Sequence, residues 1–239
     1  MDATADTGPG MPTLAPRNDT EAAILSRRSV RGFLPTPVPR ETITHLLDVA
    51  ARAPSGTNMQ PWRVVALAGE ALRRFCDAVA EAYLSGTEHG AEWPYYPTPM
   101  VEPYLARRRQ IGWQLYGLLG IGRGQRELAR AHVVRNLHFF GAPVGLVCLI
   151  DRDLQIGSWL DYGMFLQTIA IAARASGLDT CPMAVFAEFP RTIRHLLDLP
   201  ETDMIVCGMA IGREDPDAPA NALRTPRVPA AEFARFQGF

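Results

Sequence analysis

The sequence predicts an α+β or α/β domain in which a few strands are sandwiched between many helices. Short runs rich in β-branched residues alternate with longer amphipathic stretches, which is typical of that class. The chain has 239 residues, of which 47% are hydrophobic and 21% charged, a length and a composition that suit one globular domain. The longest apolar runs are much shorter than the roughly 20 residues that a membrane helix needs.

The N-terminal third is predicted to contain a tail, three helices and a strand. Residues 1–18 are rich in Gly, Pro and Thr and lack periodicity, so we expect a disordered tail before one domain that spans 19–239. A short helix is predicted over 20–27 and a strand over 62–67. The other two helices show apolar residues at helical spacing: Ile43, Leu46, Leu47 and Ala50 in the one that begins at Pro39, and Leu72, Phe75, Cys76, Val79 and Tyr83 in the next.

The rest of the chain begins with an unusually long connection. Residues 85–103 are rich in Gly, Pro and aromatic residues and predict a lid or a binding loop. The helix predicted over 158–175 is apolar on almost every side, so we expect it to be buried all round and to end at Gly177. The Pro-rich end beyond Arg213 is expected to wrap over another surface, such as a second subunit. The remaining predicted elements are helices over 101–119, 125–140 and 190–199 and strands over 144–150, 181–186 and 204–211.

The composition excludes several classes of function. The net charge is −1, which indicates neither a nucleic acid nor a membrane as a partner. All 24 basic residues are arginine, and a chain without lysine has no Schiff-base, P-loop or kinase lysine. The five histidines show no metal-ligand spacing and the four cysteines no CxxC pair, which predicts no metal site and buried, reduced thiols. Together with an N-terminus that lacks a signal pattern, this predicts a cytoplasmic protein.

The first polar cluster lies where the first predicted helix ends. Arg27, Arg28 and Arg31 surround Ser29 in the run Arg-Arg-Ser-Val-Arg. Guanidinium groups and a hydroxyl this close together can grip a phosphate through bidentate, charge-assisted hydrogen bonds. The alternative is a solvated charged face.

Two further segments carry polar groups suited to a ligand. Residues 54–62 read Pro-Ser-Gly-Thr-Asn-Met-Gln-Pro-Trp and lie between a predicted helix and a predicted strand. The glycine lets the backbone approach a planar ligand, and Asn58 and Gln60 supply side-chain amides. Near the C-terminus, Asn221 precedes Arg224 and Arg227, which add two more guanidinium groups. Each segment taken alone would be an ordinary turn or tail.

Together and in this order, these segments resemble the nitroreductase family of FMN-dependent oxidoreductases. The resemblance covers about residues 21–239 and includes the apolar helix and the late strand from Gly208 to Gly212. The insertion from Tyr95 to Leu119 resembles the branch of bacterial nitrobenzoate reductases. The family implies a three-layer α/β/α sandwich with a central, mostly antiparallel sheet. It also implies a homodimer that exchanges its C-terminal arms and holds two FMN sites at the subunit interface.

The resemblance assigns residues to the FMN site. The first polar cluster would hold the flavin phosphate, the ribityl chain and the pyrimidine edge, and two C-terminal arginines would close on the phosphate. The partner subunit would supply the 54–58 turn, and a strand end would run along the isoalloxazine with backbone groups facing N5. The first polar cluster supplies Arg27, Arg28, Ser29 and Arg31, and the C-terminal arginines are Arg224 and Arg227. The 54–58 turn supplies Pro54, Ser55, Gly56 and Asn58, and the strand end supplies Pro182, Met183 and Ala184.

The chain departs from the family pattern at two positions where some relatives have lysine. Arg31 keeps the charge, but Thr225 does not and is left out of the predicted site. Aromatic and cationic residues are expected to line an acceptor pocket, the alternative role of each aromatic being ordinary core or lid packing. Arg107 to Arg109 could favour a carboxylated acceptor such as a nitrobenzoate, or could simply be exposed helix charge. The pocket candidates are Trp93, Tyr95, Tyr96, Tyr104, Arg107, Arg108, Trp113, Phe186 and Phe189.

The implied activity is the NAD(P)H-dependent reduction of nitroaromatic or quinone-like acceptors by a two-electron, ping-pong mechanism. Hydride passes from NAD(P)H to flavin N5, and the acceptor then takes two electrons in the same pocket. No Gly-x-Gly-x-x-Gly opens a helix, so the donor need not have its own Rossmann site. No side chain is assigned as a catalytic acid, since solvent or the flavin can provide protons.

Other functions would use the same FMN contacts. They are reductive dehalogenation, enone reduction and flavin destruction, and a non-catalytic flavin-binding protein is a further alternative. A serine hydrolase is disfavoured because the chain has no Gly-x-Ser-x-Gly.

Overall fold

A four-stranded antiparallel sheet forms the centre of the computed structural model, which describes residues 14–88 and 90–239. Its strands are β1 (Arg63–Ala68), β2 (Val144–Asp151), β3 (Asp179–Met183) and β4 (Asp203–Gly212), and they lie in the order β1-β2-β4-β3. The helices are α1 (Asp19–Ser26), α2 (Arg40–Ala50), α3 (Gly69–Ser85), α4 (Tyr104–Leu118), α5 (Arg126–Leu137), α6 (Ile156–Ala175), α7 (Pro190–Leu196) and α8 (Ala230–Phe233).

The two faces of the sheet carry separate hydrophobic cores. In β2, Val147 and Leu149 join a core with residues of α3, α5 and α7, whereas Leu146 and Ile150 join a core with residues of α2 and α6. This alternation follows the two-residue period of a strand. Helices therefore cover the sheet on both sides, and the predicted α+β class, with an antiparallel sheet between helices, is confirmed.

A β-bulge in β4 resets which side chains face which core. Cys207 pairs with Cys148, but Ile205 pairs with Leu149, so Val206 is an extra residue on its strand. Val206 and Cys207 consequently join the same core. Beyond the bulge, Gly208 faces the opposite core.

Helix α6 is buried on one side only, so the prediction that it is buried all round is wrong. Tyr162, Phe165 and Ile169 pack in the core that α6 shares with α2. On the outer side, Ile156 is 86% exposed and Leu160 is 70% exposed. The apolar residues on every side of this helix thus reflect a second apolar surface of the molecule.

Several boundaries differ from the predictions, and the largest difference is at β3. This strand ends at Met183, where its partner reaches Gly208 next to the bulge, and residues Ala184–Glu188 form a 3-10 turn. Helix α6 ends at Ala175, and Gly177, two residues further on, has a φ of +72°, which fits the predicted left-handed cap. Although α6 has 20 residues, no helix within the described ranges is long and apolar enough to cross a bilayer.

The two ends of the chain differ in how far the structure describes them. Residues 1–13 of the predicted tail lie outside the described residues. Helix α1 begins after Asn18, whose side-chain oxygen accepts a hydrogen bond from the amide of Glu21 at 2.9 Å. The C-terminal segment is extended except for a 3-10 turn at Pro219–Ala222 and the short helix α8.

Replacing Gly208 by alanine is expected to lower the free energy of unfolding by about 1 to 3 kcal/mol. A Cβ atom at this position would lie 2.3 Å from Cδ2 of Phe186, whose ring is stacked on Phe139 at a centroid distance of 4.4 Å. Urea denaturation measures the change. Gly157→Ala in α6 is the control, since a Cβ there meets nothing within 4 Å, and it should leave the stability unchanged or slightly higher. A Gly208→Ala protein as stable as the wild type would contradict the packing described.

Candidate functional site

Arginines from both ends of the chain line one cavity of about 580 Å³, which we call the arginine cavity. Arg27 and Arg28 reach it because α1 ends at Ser26 and the backbone becomes extended at Arg27. Arg224 and Arg227 enter from the C-terminal segment. Burial and the nearby Arg227 lower the pKa of Arg27, so like charges are held together in a partly dehydrated place. Such a site favours an anion.

Two of the arginines that line this cavity form ion pairs with carboxylates. Arg28 forms an ion pair with Glu214. Arg174 of α6, which also lines the cavity, pairs with Asp179 at 2.9 Å and donates to the hydroxyl of Ser26 at 3.0 Å. These pairs fix the walls of the cavity, so Arg28 is more constrained than the sequence suggested.

A second cavity of about 610 Å³, the central cavity, lies at the end of β3. The backbone turns here from strand to 3-10 helix, and residues on both sides of the turn line the cavity. Cys181 also lines it, and burial raises the pKa of this thiol to about 11, so it stays protonated at neutral pH. The predicted site residues that line the central cavity are Arg31, Pro182, Met183, Ala184, Trp93, Tyr95, Tyr96 and Phe189.

The run from Arg27 to Arg31 connects the two cavities. Its first two residues line the arginine cavity, and Arg31 lines the central one. Between them, the amide of Val30 donates to the carbonyl oxygen of Thr180 at 3.0 Å, which holds the run against β3. A ligand lying along this run can therefore reach both cavities.

Unpartnered polar atoms are concentrated along the same path. Four buried side-chain polar atoms lack a hydrogen-bond partner in the described part of the chain, and three of them are Arg28 Nε, Thr180 Oγ1 and Asn136 Oδ1. Arg28 and Asn136 line the cavities, and Thr180 is bridged to Ser29 between them. Because unsatisfied buried polar groups are costly, these atoms indicate a polar ligand that completes them.

Asn136 is the site residue that the sequence analysis missed. It lies on α5, one turn after Val133, and both residues line the central cavity together with Phe140 of the following 3-10 turn. One polar residue at helical spacing between apolar ones was the available signal. That signal is weak by itself, because a side-chain amide in such a position can also be satisfied by the protein.

Asn221 ties the C-terminal segment to the first polar cluster. Its Nδ2 donates to the carbonyl oxygens of Gly32 at 2.8 Å and Asp215 at 2.9 Å, and its Oδ1 accepts from the amide of Arg31 at 2.7 Å. Gly32 leaves the room for this approach, since a Cβ would lie 2.3 Å from Cβ of Ala218. These contacts bring both groups of arginines to one cavity.

The insertion after α3 is fastened to the core at its base. Burial would raise the pKa of Glu88, but hydrogen bonds from the hydroxyl and amide of Thr192 and the amide of Arg191 more than offset this and lower it. Glu88 thereby caps the N-terminus of α7. Further along, the indole of Trp93 donates to the carbonyl oxygen of Ile205 at 2.8 Å. Trp93 is thus held by the protein while it lines the central cavity.

Other predicted pocket residues lie elsewhere. Phe186 is fully buried between Phe75 and Phe139, which is the core packing weighed as the alternative for it. Tyr104 is exposed at the start of α4 and, like Arg107, lines neither of the two cavities. Arg108 and Trp113 line a third cavity beside α4.

The 54–58 turn lines neither the arginine cavity nor the central cavity. The amide of Gly56 donates to Oδ2 of Asp161 at 3.0 Å, and the hydroxyl of Ser55 accepts from the amide of Gln60 at 3.0 Å. Asn58 adopts φ = +61° and is exposed. Pro54 lines a shallow apolar cavity along the outer side of α6.

Comparison with known proteins identifies the family of this chain and several relatives. Residues 24–213 match the sequence pattern of the nitroreductase family. The chain belongs to the nitroreductase family. It is 41% identical over 223 residues to a 4-nitrobenzoate reductase from Pseudomonas putida, an alignment that covers 93% of this chain and 97% of that protein. It is also 40% identical to a nitrobenzene nitroreductase from Ectopseudomonas oleovorans, over 89% of this chain and 94% of that one.

A nitroreductase of known structure has the same fold. The FMN-dependent nitroreductase NfnB from Mycobacterium smegmatis, solved in complex with NADPH, superposes with a TM-score of 0.87 at 32% identity, covering 92% of this chain and 98% of NfnB. The predicted family and its nitrobenzoate reductase-like branch are therefore confirmed.

Asn221→Ala is expected to lower the free energy of unfolding by on the order of 3 kcal/mol, because one buried and two partly buried backbone groups lose their hydrogen-bond partner. We also expect faster proteolytic cleavage of the segment beyond Arg213. Denaturant unfolding and limited proteolysis measure the two effects. Asp217→Ala is the control, an exposed position in the same segment that should keep wild-type stability. If Asn221→Ala behaved like this control, Asn221 would not hold the segment in place.

Proposed function

We propose that this protein is an FMN-dependent oxidoreductase that uses NAD(P)H to reduce nitroaromatic compounds. The proposal rests on the two cavities and the run from Arg27 to Arg31 that joins them. FMN has a phosphate at one end, a hydroxylated chain in the middle and a flat, hydrogen-bonding ring at the other end. The protein offers matching features in the same order. The arginine cavity carries positive charge, the unpartnered hydroxyl of Thr180 lies between the cavities, and the central cavity has aromatic walls.

The residues present fit the three parts of FMN. Arg27, Arg224 and Arg227 would hold the phosphate, with Arg28 positioned beside them by its ion pair to Glu214. Ser29 and the unpartnered hydroxyl of Thr180 would face the ribityl chain. Arg31 and Asn136 would bind the pyrimidine edge, and backbone groups of Pro182, Met183 and Ala184 would lie along the ring near N5.

Bound FMN supplies the hydride chemistry, and the protein positions the substrates and shields the reacting atoms from water. Trp93, Tyr95 and Tyr96 form an aromatic wall of the central cavity on which a nicotinamide or a nitroarene ring can stack. We place both substrates in this one cavity in turn, which is the ping-pong order, and the same surface would accept quinones. No side chain is needed as an acid.

The proposed enzyme is a homodimer whose FMN sites are shared. Exposed Ile156 and Leu160 of α6, with the apolar cavity at Pro54, form a surface suited to a second copy. We infer that the 54–58 turn serves the partner's flavin and that the C-terminal arms are exchanged. A cytoplasmic location remains our expectation.

Other reactions of the same fold remain alternatives, namely dehalogenation, enone reduction, flavin destruction and flavin binding without catalysis. A 5,6-dimethylbenzimidazole synthase from Rhodospirillum rubrum is 27% identical to this chain, whereas the nitrobenzoate and nitrobenzene reductases are about 40% identical. This difference favours a nitroarene as the acceptor.

The proposal is tested on protein loaded with FMN and desalted. Under anaerobic conditions, NADPH or NADH should bleach the flavin absorption band, and 4-nitrobenzoate or nitrobenzene should restore it. A band that neither donor bleaches would indicate a flavin-binding protein without this activity. A bleached band that no nitroarene restores would leave the donor side intact and overturn the nitroaromatic acceptor.

Arg27→Gln is expected to raise the Kd for FMN roughly ten- to a hundredfold, because a charge-assisted hydrogen bond contributes about 1.5 to 3 kcal/mol. Titration of FMN fluorescence measures the change. The control is Arg74→Gln, which removes the same charge from an exposed position on α3 and should leave the Kd unchanged. Wild-type affinity in Arg27→Gln would mean that the arginine cavity does not hold the phosphate.

A further inference from the structure

One spacious cavity lined by α4 has no role in the function proposed so far. It measures about 910 Å³ and lies between α4 and the loop that leads into α5, and we call it the α4–α5 cavity. Its volume is at the upper end of the roughly 300 to 1,000 Å³ typical of small-molecule sites. Four arginines line it, namely Arg108, Arg109, Arg123 and Arg126, together with the apolar surfaces of Leu105, Trp113, Tyr116 and Ile121.

The charged residues that line this cavity are all positive. No Asp or Glu lines it, and none of its four arginines forms an ion pair within residues 14–88 and 90–239. The chain as a whole carries a net charge of −1, so this concentration of positive charge is local. Converging guanidinium groups of one sign produce a potential that attracts a multivalent anion such as a phosphate.

The cavity also offers a flat apolar surface for a ring. Trp113 is 73% exposed and lies among the arginines, which is an unusual position for so large an apolar side chain. Exposed aromatic side chains are surfaces on which nucleobases stack in other proteins. The lining therefore suits a ligand that combines a planar base with a phosphate.

A shared wall joins this cavity to the central one. The guanidinium carbon of Arg108 lies 4.5 Å from the ring centroid of Tyr96, a cation–π contact. Tyr96 lines the central cavity, and Arg108 lines the α4–α5 cavity. One extended ligand can thus have one end in each.

We propose that the α4–α5 cavity binds the adenosine 2′-phosphate end of NADPH while the nicotinamide occupies the central cavity. Arg123 and Arg126 would grip the 2′-phosphate, and the adenine would stack on Trp113. The inference rests on the function proposed above and adds the choice of donor. Because the 2′-phosphate takes no part in hydride transfer, the cavity acts on donor affinity alone, and NADPH is preferred over NADH.

The direct test is calorimetric and needs no turnover. On the FMN-loaded protein, adenosine 2′,5′-bisphosphate should bind roughly ten- to a hundredfold more tightly than 5′-AMP, which lacks the 2′-phosphate. The double variant Arg123→Gln/Arg126→Gln should remove this difference, and Arg74→Gln should keep it. Trp113→Ala should weaken both nucleotides by a similar factor, since both carry adenine. Equal affinity of the wild type for the two nucleotides would overturn the proposal.

Steady-state kinetics provide the second readout. In the double variant, the KM for NADPH should rise roughly ten- to a hundredfold while its kcat and the KM for NADH stay the same, as expected for a loss of uniform binding. A rise in the KM for 4-nitrobenzoate with an unchanged KM for NADPH would assign the arginines to the acceptor instead. A change in the mass of the assembly, with donor constants unchanged, would assign the cavity to contacts between copies.

Failure of this inference can be separated from failure of the proposed function. Nitroarene reduction with equal KM values for NADPH and NADH would overturn the donor choice and leave the oxidoreductase intact. Absence of flavin reduction by either donor would overturn the oxidoreductase itself, and the donor site with it.

Discussion

The amide of Asn221 is the contact on which the candidate site depends. Two chain segments almost two hundred residues apart carry the arginines, and neither forms a cation cluster by itself. One buried side chain binds the backbone of Gly32, Arg31 and Asp215 and leaves no atom of its amide unused. The arginine cavity exists because this amide fits the space that Gly32 leaves open.

The central sheet fixes the second half of the site in a comparable way. The bulge at Val206 turns Gly208 toward the core where Phe186 and Phe139 are stacked, and β3 ends opposite that glycine. The chain then turns at Ala184, beside the central cavity that Arg31 also lines. Core packing thereby determines where β3 ends and where its backbone reaches the central cavity.

Most of the elements followed from local patterns in the sequence. The spacing of Ile43, Leu46 and Ala50 identified α2, and all three are buried. The bulge could not be predicted, because Val206 lies in a continuous apolar run. An extra residue in such a run does not interrupt any alternation of polar and apolar residues. Likewise, apolarity on all sides of α6 could not separate burial within the chain from an exposed apolar surface.

The site was predictable only in part. The arginine segments are far apart in sequence, so their meeting was expected from the family resemblance and not from spacing. Phe186 and Phe189 appear alike in the sequence, yet only Phe189 lines the central cavity. Asn136 carried too weak a local signal, since its significance comes from the cavity that its unpartnered oxygen borders.

The anchoring of the insertion has a consequence for how such a chain can diversify. Glu88 and Trp93 fasten its base to α7 and β4, whereas Tyr95, Tyr96 and most of α4 lie outside the core. Residues beyond Trp93 can therefore be exchanged, lengthened or shortened with little cost to folding. In the function proposed here, the choice of acceptor would then depend on a segment that can change while the packed core stays the same.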